Sequence, residues 1–103
     1  MKGDPNLPSY YNFREKYPDC IAEILDQDLC GSCWGFATAG MLGDRLCMRT
    51  QGKFNKTLSV QDMIDCDLEN FGCHGGYIIP AIDFLTTEGV STKECSPYTQ
   101  KTN

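Results

Sequence analysis

Seven cysteines in a chain of 103 residues limit how this protein can fold more than any other property of its sequence. Such a density is typical of oxidising compartments, where cysteines pair into disulfides. Because seven is odd, the count fits one free, reactive thiol and up to three bridges. Residues 1–5 are not followed by the apolar run of a signal peptide, so we expect the natural chain to carry a targeting segment outside these residues.

Charge and hydropathy argue against two classes of partner. The net charge is −5, and the lysines and arginines form no stripe that could neutralise the phosphates of a nucleic acid. No segment is long and apolar enough to span a membrane. The length is that of one domain or of part of a larger one.

The longest predicted helix covers residues 33–50, and Gly52 follows closely enough to end it. Apolar residues recur on one face of this segment at helical spacing, namely Trp34, Ala37, Met41, Leu42 and Leu46. Residues 1–19 contain several prolines and few helix signals, so we interpret them as an extended N-terminal strap.

Two shorter helices are predicted after the long one. Ser59, with an acidic residue three positions later, is a helix-start pattern and predicts a helix over 59–66. Pro80 suits the first turn of a helix and Gly89 its end, which predicts a helix over 80–88. The glycine-rich stretch between these two helices predicts a turn or irregular loop.

Residues 27–34 combine a thiol nucleophile with groups that can stabilise an oxyanion. Cys33 stands where the long helix begins, so the positive end of the helix dipole favours the thiolate, which is the nucleophilic form. Backbone N–H groups at that helix start can bind the oxyanion formed when a carbonyl is attacked, and the Gln27 amide can assist. Gly31 and Ser32 are small and let a substrate backbone approach.

The same segment resembles a known family. Cys30-Gly31-Ser32-Cys33-Trp34 is similar to the signature of papain-like cysteine peptidases. Further motifs in the same order resemble the cathepsin B branch, namely residues 7–14, 17–20, 44–47, 59–66, 73–77 and 95–98. The resemblance implies an α+β papain-like fold, of which residues 1–103 would form the mainly helical left lobe and lack most of the β-rich right lobe.

The resemblance also implies roles for individual residues. Cys33 would be the nucleophile, and Gln27 would supply the side chain of the oxyanion hole. Gly75 and Gly76 would hydrogen-bond an extended peptide through their backbones. Tyr77 and Ile78 would lie near the pocket for the second substrate residue before the cleaved bond. No metal and no organic cofactor would be required.

The resemblance implies two disulfides, Cys20 with Cys47 and Cys30 with Cys73. In the cathepsin B branch, Cys66 and Cys95 pair with residues beyond position 103. Here these two are free, pair with each other, or pair with sequence outside these residues, and the sequence does not decide among the three.

Three residues depart from the family pattern. Asp28 replaces a glycine, which is tolerable but costly if the backbone needs a positive φ, and it brings a negative charge close to the site. Gly35 replaces an alanine and weakens the helix by about 1 kcal/mol. His74 stands where the family has asparagine.

A papain-like site also needs a histidine to pair with the thiolate and an asparagine to orient it, roughly 130–150 residues after the cysteine. The only histidine here is His74, which we expect to be an exposed loop residue and not a base. We therefore expect residues 1–103 alone to hydrolyse peptides little or not at all.

The resemblance further implies partners and a location. Peptide or protein substrates and cystatin-like inhibitors would bind, and neither nucleic acid nor membrane would. The protein would be lysosomal, endosomal or secreted. Asn55-Lys56-Thr57 is a glycosylation sequon, so Asn55 is a candidate for a glycan in that setting.

Three alternative interpretations remain. Cys30 and Cys33 have the spacing of a thiol–disulfide oxidoreductase, although the residues before them make a poor buried strand. Cys66, Cys73 and His74 could bind zinc, although no spacing matches a structural zinc site. The chain could also be a peptidase-derived fragment with a non-catalytic role, such as a binding or decoy protein.

Overall fold

A computed structural model describes residues 3–101, so both ends of the 1–103 assignment lie outside the described residues. Within this range the helices are α1 (Phe13–Lys16), α2 (Cys33–Arg49), α3 (Val60–Cys66) and α4 (Ile78–Thr87), with a 3-10 helix over Pro18–Cys20. The described residues form no β-strand, and isolated bridges join Gly31 to His74 and Leu58 to Thr92.

The hydrophobic core lies where α2 packs against α3 and α4. Its buried members are Cys30, Trp34, Ala39, Leu58, Val60, Met63, Ile64 and Ala81. Trp34 and Thr38 are four residues apart, as are Gly35 and Ala39, so these two pairs form one buried stripe along α2. Ala37 falls outside this stripe and is exposed, which corrects its predicted place on the buried face.

The observed helix ends differ slightly from the predicted ones. The long helix ends at Arg49 instead of residue 50, because Thr50 serves as the C-cap and donates its N–H to Leu46. Helix α4 runs over Ile78–Thr87 instead of 80–88. The first backbone N–H groups of a helix have no partner within it, so Pro80 is tolerated at the third position.

Helix α3 begins at Val60, one residue after the predicted start, because Ser59 is its N-cap. The Ser59 hydroxyl oxygen accepts a hydrogen bond of 2.9 Å from the backbone N–H of Asp62. Ser59 also donates its hydroxyl proton to the carbonyl of Ser96 at 2.7 Å. This cap therefore joins α3 to the last part of the described chain.

The N-terminal strap is not extended throughout, as the prediction for residues 1–19 had it. Its first two residues lie outside the described range, and residues 3–11 are all exposed. Helix α1 then forms because the Asn12 side chain accepts the backbone N–H of Arg14 at 3.0 Å. Pro18 starts the 3-10 helix at a position that needs no N–H donor.

Candidate active site

Cys33 is the first residue of α2, and it is exposed. Ser32, the N-cap, is fully buried, and its carbonyl oxygen accepts the N–H groups of Gly35 at 2.9 Å and Phe36 at 3.1 Å. The first N–H groups of the 17-residue helix have no carbonyl partner within it, so donors and the positive dipole end meet at Cys33. The start of α2 can therefore bind an anion, such as an oxyanion formed beside Cys33.

Gln27 is held against the loop that leads to Cys33. Its amide Nε2 donates to the carbonyl of Cys30 at 2.9 Å, and the same carbonyl accepts the backbone N–H of Ser32 at 2.8 Å. A primary amide carries two protons on its nitrogen, so the second remains for another acceptor. The amide can thus serve an oxyanion while it stays tied to the loop.

The turn after Gln27 requires an unusual backbone. Asp28 has a φ of 55°, the left-handed conformation that glycine adopts most readily. Its backbone N–H donates to the Asp26 carboxylate at 2.8 Å, which supports the turn locally. This position therefore does need a positive φ, and that is the case in which aspartate is more costly than the glycine of the family pattern.

A disulfide joins the loop before Cys33 to the glycine-rich loop. Cys30 and Cys73 are bonded, with their Cα atoms 4.5 Å apart. Beside the bond, Gly31 donates its N–H to the Cys73 carbonyl at 2.8 Å and accepts from Gly75 at 3.1 Å. A Cβ atom on Gly31 would lie 2.6 Å from that Cys73 oxygen, so only glycine fits here.

The four residues expected to bind peptide follow directly on this loop. A Cβ on Gly76 would lie 2.7 Å from the Trp34 ring and 2.5 Å from the side-chain oxygen of Asn70. The same Asn70 oxygen accepts the backbone N–H of Tyr77 at 2.6 Å. Tyr77 and Ile78 themselves are exposed. The backbone of this segment is thus fixed while its side chains face solvent.

His74 is exposed and lies on the glycine-rich loop, as expected for a loop residue. Its backbone N–H donates to the carbonyl of Phe71 at 2.8 Å, and its backbone pairs with Gly31. The backbone of His74 is thus held on the glycine-rich loop while its side chain is exposed.

Sequence reasoning missed two residues that build the site, Asn70 and Tyr98. Asn70 holds the segment that was expected to bind peptide, and it donates its side-chain N–H to the Asp67 carboxylate at 2.7 Å. Tyr98 contacts the loop around Gln27 with its hydroxyl group. Its motif marked the cathepsin B resemblance, but neither spacing nor composition signalled a contact with a loop about 70 residues earlier.

The remaining cysteines exclude two alternatives. Cys20 is bonded to Cys47, whereas Cys33, Cys66 and Cys95 are free and exposed. Because Cys30 and Cys73 are bonded to each other, Cys30 is not paired with Cys33 and Cys73 is not a zinc thiolate. Both bonds are those that the resemblance implied, and Cys66 and Cys95 are not paired with each other.

Residues 3–101 contain neither a metal-binding cluster nor a helix that could span a membrane. No group of three or more histidine, cysteine or acidic side chains is arranged to hold a metal ion in this range. None of the helices in it has the length and apolar character needed to cross a membrane.

The similarity of this sequence to known proteins identifies its family. The sequence profile of the papain family cysteine proteases matches residues 7–103. The chain belongs to this family. Cathepsin B-like CP1 of Giardia intestinalis is 46% identical over 95 residues, which are 92% of this papain-family chain and 31% of that protein. Cathepsin B of Dictyostelium discoideum is 38% identical over 95 residues, 90% of this chain and 30% of that one.

Solved structures show the same fold. A cysteine protease of Carica candamarcensis in complex with E-64 aligns with a TM-score of 0.84 at 26% identity, over 94% of this chain and 44% of that one. The proform of the ragweed pollen protease Amb a 11 aligns with a TM-score of 0.84 at 33% identity, over 97% and 30%. The described residues therefore have the papain-like fold and correspond to its mainly helical left lobe.

The chain spans about a third of the length of the curated relatives it matches.

Proposed function

We propose that this chain supplies the nucleophilic half of a cysteine peptidase active site. The Cys33 thiolate attacks a peptide carbonyl, a carbon–sulfur bond forms, and the oxyanion accepts hydrogen bonds from Gln27 and from the start of α2. The oxyanion collapses as the carbon–nitrogen bond breaks, and the leaving amine takes a proton that a general acid must supply. Water then hydrolyses the thioester, which releases the carboxylic acid and the Cys33 thiol. The supporting observation is that an exposed cysteine at a helix start lies on the same loop that holds the Gln27 amide.

The substrate class is an extended peptide or protein segment. The backbone of Gly76 would hydrogen-bond the peptide, and its position is fixed by its tight fit against Trp34. Gly75 already donates its N–H to Gly31 and accepts from Phe71, so its carbonyl oxygen, through its second lone pair, would be the group that it offers to the peptide. Tyr77 and Ile78 would line the pocket for the residue two before the cut, and both side chains are accessible for this. Cystatin-like inhibitors and E-64 would bind over the same residues.

Turnover needs a base close to Cys33, and the family pattern expects that base to be a histidine. The only histidine in the sequence is His74, whose backbone N–H is bound to Phe71 on the glycine-rich loop. In serine peptidases, removing a member of the catalytic unit costs roughly 10⁴–10⁶ in rate. We therefore propose that residues 1–103 alone acylate on Cys33 but do not hydrolyse peptide amides.

The family and the disulfides support a lysosomal, endosomal or secreted location. Asn55 is exposed on the loop between α2 and α3, where a glycan can be accommodated. Secretory expression should add a glycan whose mass is removed by an amidase specific for N-linked glycans. An Asn55→Gln variant of unchanged mobility would show that the sequon is unused.

The test of the main proposal uses an activated ester, which reports acylation without a strong base. Replacing Cys66 and Cys95 by serine leaves Cys33 as the free thiol, and a blocked dipeptide p-nitrophenyl ester is then added. We expect one equivalent of p-nitrophenolate and acylated Cys33, and no cleavage of a fluorogenic dipeptide amide. A Cys33→Ser variant is the control.

One result would contradict the assignment of Cys33 as the nucleophile, and another would contradict the expected lack of amide hydrolysis. Acylation no faster than that of the same chain in denaturant would remove the nucleophile assignment and favour a non-catalytic binding or decoy role. Amide cleavage that the Cys33→Ser control loses would show instead that these residues already contain a working base.

A further inference from the structure

The Tyr98 hydroxyl lies between the two residues that flank the candidate chemistry. Its oxygen is 2.6 Å from the carbonyl oxygen of Gln27 and 2.9 Å from the hydroxyl oxygen of Ser32. Gln27 carries the oxyanion amide, and Ser32 directly precedes the nucleophile. One hydroxyl group therefore joins both ends of the loop that forms the site.

The directions of these two hydrogen bonds follow from the chemistry of the groups. A carbonyl oxygen only accepts, so Tyr98 donates its proton to Gln27. The Tyr98 oxygen then accepts the proton of Ser32, whose alternative acceptor, the carbonyl of Cys30, lies at the longer distance of 3.5 Å. Each group uses its proton in one defined direction, which leaves the loop little freedom to shift.

Tyr98 is itself held by the packed part of the lobe. Its ring meets Phe36 of α2 edge to face, with centroids 5.1 Å apart and planes at 78°. The next residue, Thr99, donates its N–H to the buried side chain of Gln61 in α3 at 2.9 Å, and Gln61 donates to the Lys101 carbonyl at 2.7 Å. Two helices thus fix where the hydroxyl stands.

We propose that Tyr98 is a positioning residue that sets the distance between the Gln27 amide and the Cys33 sulfur. It acts through the main chain of Gln27 and through Ser32, and it contacts no reacting atom. This inference rests on the proposed function, because it assigns Tyr98 to the oxyanion hole of that site. A misplacement of about 1 Å can cost a site on the order of 100-fold in rate, so loss of this contact should slow attack on a carbonyl.

Two reagents separate positioning from a general structural role. Attack on the p-nitrophenyl ester develops an oxyanion before p-nitrophenolate leaves, whereas attack on iodoacetamide displaces iodide from a saturated carbon and develops none. Tyr98→Phe removes only the hydroxyl and keeps the ring on Phe36. In the background with Cys66 and Cys95 replaced by serine, we expect it to slow acylation of Cys33 about five- to tenfold and to change alkylation less than about twofold.

Two further variants complete the design. Tyr11→Phe removes an exposed hydroxyl from the N-terminal strap and is the matched control, which should change neither rate. Gln27→Ala should slow acylation about tenfold or more, since one oxyanion donor is worth roughly 100- to 1,000-fold in complete sites. If Tyr98 acts through Gln27, the double variant should be no slower than Gln27→Ala alone.

The outcomes distinguish this inference from the proposed function. If Gln27→Ala slows acylation and Tyr98→Phe does not, the role of Tyr98 is overturned and the oxyanion role of Gln27 stands. Equal slowing of both reagents by Tyr98→Phe, or additive effects in the double variant, also overturns it. If neither single variant slows acylation, the oxyanion role of Gln27 fails as well.

Discussion

The indole Nε1–H of Trp34 donates a hydrogen bond of 3.0 Å to the carbonyl oxygen of Gly72, 38 positions later in the chain. Trp34 directly follows Cys33 and is 2% exposed. A single buried side chain thus connects the first turn of α2 to the start of the glycine-rich loop. The position of the nucleophile relative to that loop depends on this contact as well as on the nearby disulfide.

Replacing Trp34 by phenylalanine should lower the free energy of unfolding by about 2–3 kcal/mol. The change leaves the buried Gly72 carbonyl without its donor and opens space beside Gly76. Urea unfolding followed by far-ultraviolet circular dichroism measures the effect, with Tyr11→Phe as the control. A loss below about 1 kcal/mol would mean that water or a shifted loop replaces the indole.

The two disulfides should be similar in stability but different in function. Their partners are 27 residues apart for Cys20–Cys47 and 43 apart for Cys30–Cys73, which by loop-closure entropy gives about 3.5 and 4 kcal/mol. Replacing either pair by alanine should therefore destabilise the chain to a similar extent. In the fraction that stays folded, only loss of Cys30–Cys73 should slow acylation of Cys33. If loss of either disulfide slows acylation of Cys33 equally, the Cys30–Cys73 bond has no special role at the site.

Asp28 should oppose both stability and acylation, for separable reasons. Asp28→Gly should raise the free energy of unfolding by up to about 1 kcal/mol, because glycine adopts a φ of 55° without steric cost. Asp28→Asn keeps the size of the side chain and removes its charge. If the Asp28 charge disfavours the oxyanion, both variants should acylate faster than the wild type. Only Asp28→Gly should also raise the free energy of unfolding. Wild-type rates in Asp28→Asn would rule out the electrostatic part.

The Cys66 thiol should deprotonate at a higher pH than an ordinary cysteine thiol. A hydrogen bond to Asp62 raises the pKa of the Cys66 thiol, with smaller contributions from burial and from the charges of Asp62 and Asp65. Since the pKa is raised in the folded state, the resulting stability is complete below the ordinary thiol range and is lost as pH rises through the raised pKa.

The pH profile of iodoacetamide modification at Cys66, followed by peptide mass mapping, measures this shift. Asp62→Asn should move the midpoint to lower pH, because it removes the carboxylate that accepts the thiol proton. Lys56→Gln changes an exposed residue outside this group and should leave the midpoint in place. Identical midpoints in the wild type and in Asp62→Asn would contradict the assigned cause.

Local signals in the sequence locate much of this lobe. Helix α2 starts at Cys33 in the prediction and in the structure, and Ser59 caps the next helix, because both features depend on residues within one turn. Helix α1 was missed, since it is a single turn held by Asn12 and carries no apolar periodicity. The pairing of the cysteines came from family resemblance and could not be deduced from spacing.

The contacts that complete the site lie beyond the reach of such signals. Tyr98 meets Gln27 across 71 positions, and Asn70 meets the backbone of Tyr77 through a side chain that looks like an ordinary loop residue. These contacts depend on how α2, α3 and the final segment pack together. No periodicity or cap pattern encodes which distant carbonyl a hydroxyl group will find.

The Cys30–Cys73 bond also has a consequence for biosynthesis. When Cys30 leaves the ribosome, its eventual partner has not yet been translated, and Cys33 lies only three positions away. Until Cys73 has been made, Cys33 is the nearest cysteine in sequence to Cys30. A bond formed between these two by an oxidant would have to be resolved by thiol–disulfide exchange before the native Cys30–Cys73 bond could form and Cys33 become free.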